Sequence, residues 1–138
     1  MPKTLIYFFK ILAHMRIAVP CEAPSLDSNV SMHFGRAPFF AIVDVENGEV
    51  VNVEFVRNPF EEHMPGQIPR FLHSLGVNAI LAYGMGVKAR MFFESFGIQV
   101  ITGAYGRVRD VVKGFLTGTL ELDLEWESRE EFHRHHHY

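Results

Sequence analysis

Residues 79–101, AILAYGMGVKARMFFESFGIQVI, decide the fold of this chain. Two short, mainly apolar runs, 79–82 and 98–101, stand at its ends and are typical of buried β-strands. Between them, apolar side chains recur with the i, i+3, i+4, i+7 spacing of a helix face, at Ala89, Phe92, Phe93 and Phe96. A strand, a helix and a second strand in this order form a parallel pair joined by a right-handed crossover. The stretch therefore predicts an α/β fold.

The same helical spacing recurs on both sides of this stretch and predicts two more helices. The apolar sets are Ile68, Phe71, Leu72 and Leu75 on one side, and Val108, Val111, Val112 and Phe115 on the other. Pro69 suits the first turn of its helix, where a missing N–H costs little. Gly76 suits the position just after the last turn.

The part of the chain before the helices predicts three strands. The run 16–20, which is apolar after Arg16, indicates a strand buried on both faces. Asn47 and Gly48 separate two β-rich runs, 39–45 and 49–57. Asn-Gly in this position is the strongest short-range signal for a hairpin, because both residues tolerate the positive φ of a type I′ turn.

The second hairpin run has the pattern of an edge strand, since Val51, Val53 and Phe55 alternate with Asn52 and Glu54. Together the elements predict a three-layer α/β fold. Its centre is a mixed five-stranded sheet of order 3-2-1-4-5, half antiparallel and half parallel, with helices on both faces.

Composition limits the class of protein. The 138 residues suffice for one globular domain, and a formal net charge of -3 gives no electrostatic case for nucleic acid or an anionic membrane. Cys21 is the only cysteine, so an intramolecular disulfide and an all-cysteine metal site are excluded. A chain without disulfides suits a reducing compartment, so we expect the protein to be cytoplasmic. The apolar run 5–9 is far too short to span a bilayer.

Three regions differ in character. We expect residues 1–14 to be an N-terminal extension, 15–120 the domain, and 121–138 an acidic tail that ends in several histidines. The extension suits an added edge strand or a short helix, or it lies upstream of a true start at Met15. The terminal histidines could bind divalent metals.

Candidate chemistry is concentrated in two irregular loops. His33 lies in a long polar loop, 21–37, and His63 lies in another. Histidine is the commonest metal-binding side chain. From residue type alone, however, an exposed or capping histidine is the simpler interpretation of His33. With Cys21, the two histidines are too few for a closed structural site, but they could attach a preformed cluster that brings its own ligands.

Other chemistries find less support. Gly84 and Gly86 fit a G-x-G-x-x-A dinucleotide fingerprint, but no acidic residue ends the next strand, so a tight turn explains the glycines better. The central strand has no carboxylate for a two-metal nuclease. A pair of Cys21 and His33 is conceivable for nucleophilic catalysis, but a lone cysteine beside a strand is more often a core residue.

An ordered set of short motifs resembles the dinitrogenase iron–molybdenum cofactor biosynthesis family, from about Met15 to Leu120. The motifs are 15–20 (MRIAVP), 33–40 (HFGRAPFF), Asn58-Pro59, His63, Pro65-Gly66, 84–86 (GMG), Gly97-Ile98, Gly103-Ala104, Gly106 and 118–120 (GTL). The resemblance implies a ribonuclease H-like fold that is not a nuclease, and it agrees with the strand order predicted above.

The resemblance also implies a cofactor site. His33 is the implied cluster contact, and His63 stands where part of the family has a histidine. Cys21 is a third candidate metal ligand. We expect the cofactor to lie against His33, Gly35, Arg36, His63, Gly84 and Gly86.

The function expected is that of a carrier rather than an enzyme. Its cargo would be an iron–sulfur or iron–molybdenum-type cluster, bound transiently and exchanged with donor and acceptor proteins. Arg36 would offset the negative charge of a sulfide-rich cluster. The alternative is a small regulatory or protein-interaction module without cluster cargo, which associates through a sheet edge or the N-terminal apolar segment. A homodimer is possible under either hypothesis.

Overall fold

The computed structural model describes residues 13–61 and 64–129. The strands are β1 (His14–Cys21), β2 (Phe39–Glu46), β3 (Glu49–Arg57), β4 (Ala79–Leu81) and β5 (Gln99–Ile101). The α-helices are α1 (Gln67–Ser74), α2 (Val87–Ser95) and α3 (Val108–Thr117), and two short 3-10 helices span Phe34–Arg36 and Trp126–Ser128. The sheet order is β3-β2-β1-β4-β5, which confirms the prediction.

The β2–β3 hairpin forms as its Asn-Gly turn predicts. Asn47 and Gly48 both have positive φ, at 53° and 80°. One detail differs, because Val51 does not share a face with Val53 and Phe55. The register shifts between Asp44 and Val45, which leaves Val51 as the extra residue of a β-bulge with 55% of its surface exposed.

Alternate side chains of the central strands face two separate apolar layers. Ile17 and Val19 of β1 belong to a cluster with Val108 and Val112 of α3. Ala18, between them in sequence, faces the opposite layer, where the side chains of α1 and α2 pack. This second cluster includes Phe40, Ile42, Ile68, Leu72 and Phe93. Helices therefore cover both faces of the sheet, as predicted.

Strand direction brings most loops to one edge of the sheet. β4 runs parallel to β1, and β5 runs parallel to β4. β3 also has the direction of β1, because both strands are antiparallel to β2. These four strands end at a common edge, here called the carboxyl edge. Because α1, α2 and α3 follow β3, β4 and β5, their N-termini also start from this edge.

Residues 119–129, here called the strap, pack onto the domain beyond α3. The Asp123 amide donates to the Gly103 carbonyl at 2.8 Å, and Trp126 is 8% exposed within the α3-side core. The first part of the predicted tail thus contributes to the core. The domain boundaries stay a prediction, and residues 1–12 and 130–138 lie outside the described residues.

Candidate functional site

The loop that carries His33 is tied to the sheet at the carboxyl edge. His33 forms an isolated parallel β-bridge with Gly84, which follows β4. The next residue, Phe34, is 4% exposed, and its ring meets that of Phe93 edge-on at 5.9 Å between centroids. A buried aromatic ring on one side and a backbone bridge on the other fix the backbone of the half-buried His33.

A short 3-10 helix continues this loop and turns Arg36 toward the surface. The Arg36 amide donates to the His33 carbonyl at 3.0 Å. Asn58, just after β3, donates through its Nδ2 to the Ala37 carbonyl at 2.9 Å. Gly35 is buried, whereas Arg36 is exposed. These contacts and the His33–Gly84 bridge hold the loop against the ends of β3 and β4. Residues outside the loop therefore help to fix its position.

Gly84 and Gly86 place the start of α2 beside this loop. Gly84 pairs with His33, Met85 is 2% exposed, and Gly86 is the N-cap residue of α2. The first turn of α2 has no acidic residue and contains the exposed Lys88. The unpaired N–H groups of a helix start carry partial positive charge. The start of α2 is therefore suited to an anionic ligand.

Cys21 lies elsewhere in the packing. Its side chain is wholly buried in the α3-side cluster, whereas Phe34, next to His33, belongs to the opposite cluster. Burial raises the pKa of the Cys21 thiol, and a hydrogen bond with Ser28 opposes this only in part. Since the thiolate is the metal-binding form, the surroundings of Cys21 disfavour ligation.

His63 lies outside the described residues, so its predicted role stays a prediction. Its described neighbours, Glu61 and Met64, are exposed in the loop between β3 and α1 at the carboxyl edge. Among residues 13–61 and 64–129, no group of three or more His, Cys, Asp or Glu side chains could hold a metal ion. Within these ranges, His33 is therefore not part of a group of three or more such side chains.

A polar cluster next to Gly84 escaped the sequence prediction. The Tyr83 hydroxyl donates to Asp123 Oδ2 at 2.7 Å, and Arg129 donates to both oxygens of the same carboxylate at 3.1 and 3.2 Å. These bonds, those from Arg129 first, hold the pKa of Asp123 below its usual range. Asp123 stands within an acidic run, so nothing local distinguishes it from its solvated neighbours.

The depressed pKa of Asp123 predicts that strap stability depends on pH. The ionised Asp123 carboxylate stabilises the folded strap fully above the pKa of an unfolded aspartate, about 3.9. This stabilisation is lost as the pH falls through the lower pKa that Asp123 has in the folded protein. We expect emission from Trp126, the only tryptophan, to shift to the red between about pH 4 and pH 2. Asp123→Asn should flatten this response, whereas Asp27→Asn, a change in an exposed carboxylate, should leave it intact. An unchanged pH profile in Asp123→Asn would contradict the assignment.

Comparison with known proteins identifies the family. The dinitrogenase iron–molybdenum cofactor family matches residues 15–118, which include nearly all of β1 and all of α3. An uncharacterized protein from Methanocaldococcus jannaschii is 36% identical over 110 residues, covering 78% of this chain and 90% of its own. The chain belongs to the dinitrogenase iron–molybdenum cofactor family. The predicted resemblance is confirmed.

Two solved structures are similar in fold and sequence to this chain. The crystal structure of PH0822 is 47% identical with a TM-score of 0.79, and the match covers 83% of this chain and all of that one. The apo form of the orange protein from Desulfovibrio gigas is 30% identical with a TM-score of 0.68, covering 81% and 96% of the two chains. Membership of the dinitrogenase iron–molybdenum cofactor family associates this protein with a metallocluster. Within the described ranges, no helix is long and apolar enough to cross a membrane.

Proposed function

We propose that this protein binds an iron–sulfur or iron–molybdenum-type cluster, or a precursor of one, and transfers it between donor and acceptor proteins without catalysing a reaction. The observation that supports this most directly is the bridge between His33 and Gly84. It places an imidazole-bearing loop beside the N-terminus of α2 in a chain whose family is associated with the iron–molybdenum cofactor.

The charges at this site suit a sulfide-rich, anionic cargo. Arg36 and Lys88 are both exposed, and the first turns of α1 and α2 contain no acidic residue. Cationic side chains and helix N-termini attract an anion, and this attraction weakens as salt screens it. Imidazole is a suitable ligand for iron at such a site.

The small number of protein ligands suits a carrier. A cage of four protein ligands would hold its metal tightly, whereas one or two imidazole contacts leave a preformed cluster exchangeable. His33 would supply the main contact, and His63 a second one if it meets the same cargo. Backbone amides near Gly35, Gly84 and Gly86 would donate hydrogen bonds to sulfides of such a cluster. We place this exchange in the cytoplasm.

The direct test is anaerobic incubation of the full chain with a cluster donor. The measurements are iron and molybdenum content after desalting and the visible absorbance of the protein fraction. We expect uptake of about one cluster per chain at low salt, substantially reduced at about 1 M salt because charge attraction contributes to binding. Transfer to an apo-acceptor should follow. Failure to retain any cluster would leave the alternative, an interaction module whose assembly light scattering would reveal.

A further inference from the structure

An apolar groove lies on the α3 side of the sheet, away from the proposed cluster site. It is a cavity of about 320 Å³ between α3 and the β2–β3 hairpin. Its apolar lining comes from Leu26, Val43, Val50, Val53, Val112 and Leu116, and its other lining residues are Gly48, Arg109, Lys113 and Thr117. Val50 is 45% exposed there. None of these residues belongs to the predicted cofactor site.

The described chain begins next to one end of this groove. His14, the first residue of β1, pairs with Glu46, and Glu46 directly precedes the Asn47-Gly48 turn. Gly48 lines the groove. Thr117, at the C-terminal end of α3, also lines it. Strand β1 therefore begins close to the hairpin turn, at the end of the sheet where that turn and the end of α3 border the groove.

The sequence of the segment that precedes His14 matches an apolar groove. Residues 1–12 read MPKTLIYFFKIL, and Leu5, Phe8, Phe9 and Leu12 have the i, i+3, i+4, i+7 spacing of one helix face. Even a helix, with a rise of about 1.5 Å per residue, would carry Leu5 more than about 10 Å from Ala13, a useful fraction of the length of α3. Burying an aromatic or leucine side chain stabilises by about 1.5–3 kcal/mol, so these side chains gain by covering apolar surface.

We propose that residues 5–12 pack into the groove between α3 and the β2–β3 hairpin of the same chain. The segment covers Val50, Val53 and Leu116 and leaves Lys113 at its border. It completes the α3-side core without touching the carboxyl edge where His33 lies. This packing is independent of the proposed cluster binding and would stand if that binding fails.

Cysteine cross-linking in the full chain tests the proposal. One variant combines Lys10→Cys with Lys113→Cys at the groove, and the matched control combines Lys10→Cys with Lys88→Cys on α2, across the sheet. Lys113 and Lys88 are both exposed helix residues, so neither change removes an apolar contact. Since a disulfide needs Cα atoms within about 7 Å, we expect the groove pair to form an intramolecular bond in at least about fivefold higher yield than the control.

The remaining outcomes are also decisive. Adding Phe8→Asp should lower the yield of the groove pair to that of the control, because a carboxylate does not enter an apolar groove. Circular dichroism checks that each variant is folded. Equal yields in the two pairs would overturn the proposal. A cross-link between two chains in the groove pair, seen as a dimer on a non-reducing gel, would also overturn it by placing the segment in a second copy.

Discussion

His33→Ala is expected to lower cluster uptake by at least about tenfold, or about 1.4 kcal/mol in binding free energy. Among the described residues, His33 is the side chain that we assign as the protein ligand, so its loss leaves only charge attraction and backbone amides to hold the cargo. The fold should survive, because the bridge to Gly84 uses the backbone and the adjacent Phe34 anchors the loop. Anaerobic titration with a cluster donor, read by iron content and absorbance, measures the effect.

A matched control is His14→Ala. His14 is an exposed histidine at the start of β1, the end of that strand away from the carboxyl edge, and its Nδ1 lies 3.9 Å from Glu46 Oε1. It should take up as much cluster as the unmodified chain, since exposed ion pairs contribute little. Equal uptake in His33→Ala and His14→Ala would remove His33 from the site. Circular dichroism of His33→Ala shows whether the variant is folded. This separates a lost ligand from a lost fold as the cause of low uptake.

Gly103→Ala is expected to destabilise the protein by about 3–4 kcal/mol. Gly103 has a φ of 91°, which disfavours any side chain, and an added Cβ would lie 2.7 Å from the Asp123 carbonyl oxygen. That contact is with the backbone of the strap, which cannot move without breaking the 2.8 Å bond from the Asp123 amide to Gly103. Urea unfolding measures the loss, and the emission of Trp126 reports whether the strap has lifted.

Gly106→Ala separates backbone strain from the close contact. Gly106 has a similar φ of 99°, but an added Cβ there would meet no atom within 4 Å. Its cost should be about 1–2 kcal/mol, the strain of the left-handed backbone alone, with no red shift of Trp126 emission. Similar losses in the two variants would mean that the strap yields easily and that its contact with Gly103 contributes little.

Several elements were predictable because their signals are local. The i, i+3, i+4, i+7 sets located α1, α2 and α3 within one or two residues, and Asn47-Gly48 located the hairpin turn. The bulge at Val51 was not predictable from alternation. A strand pattern gives the faces of consecutive residues, but a register shift depends on the partner strand, here between Asp44 and Val45.

The candidate site depends on contacts that sequence spacing cannot supply. His33 and Gly84 are far apart in the chain and meet only because β1 and β4 are parallel neighbours that end at one edge. Cys21 is much closer to His33 in sequence, yet it is buried in the α3-side cluster. The resemblance to the family indicated both His33 and Gly84, but it did not show that their backbones pair.

The chain's periodicity and turn residues by themselves determined the element types, their order and, with the handedness of crossovers, the 3-2-1-4-5 sheet. These properties follow from steric and burial preferences that act over a few residues. The tertiary structure alone decided that His33 adjoins the start of α2, that Cys21 is enclosed, and that Asp123 binds Tyr83 and Arg129. Such contacts join distant segments, and their free energy exists only once the packed sheet brings those segments together.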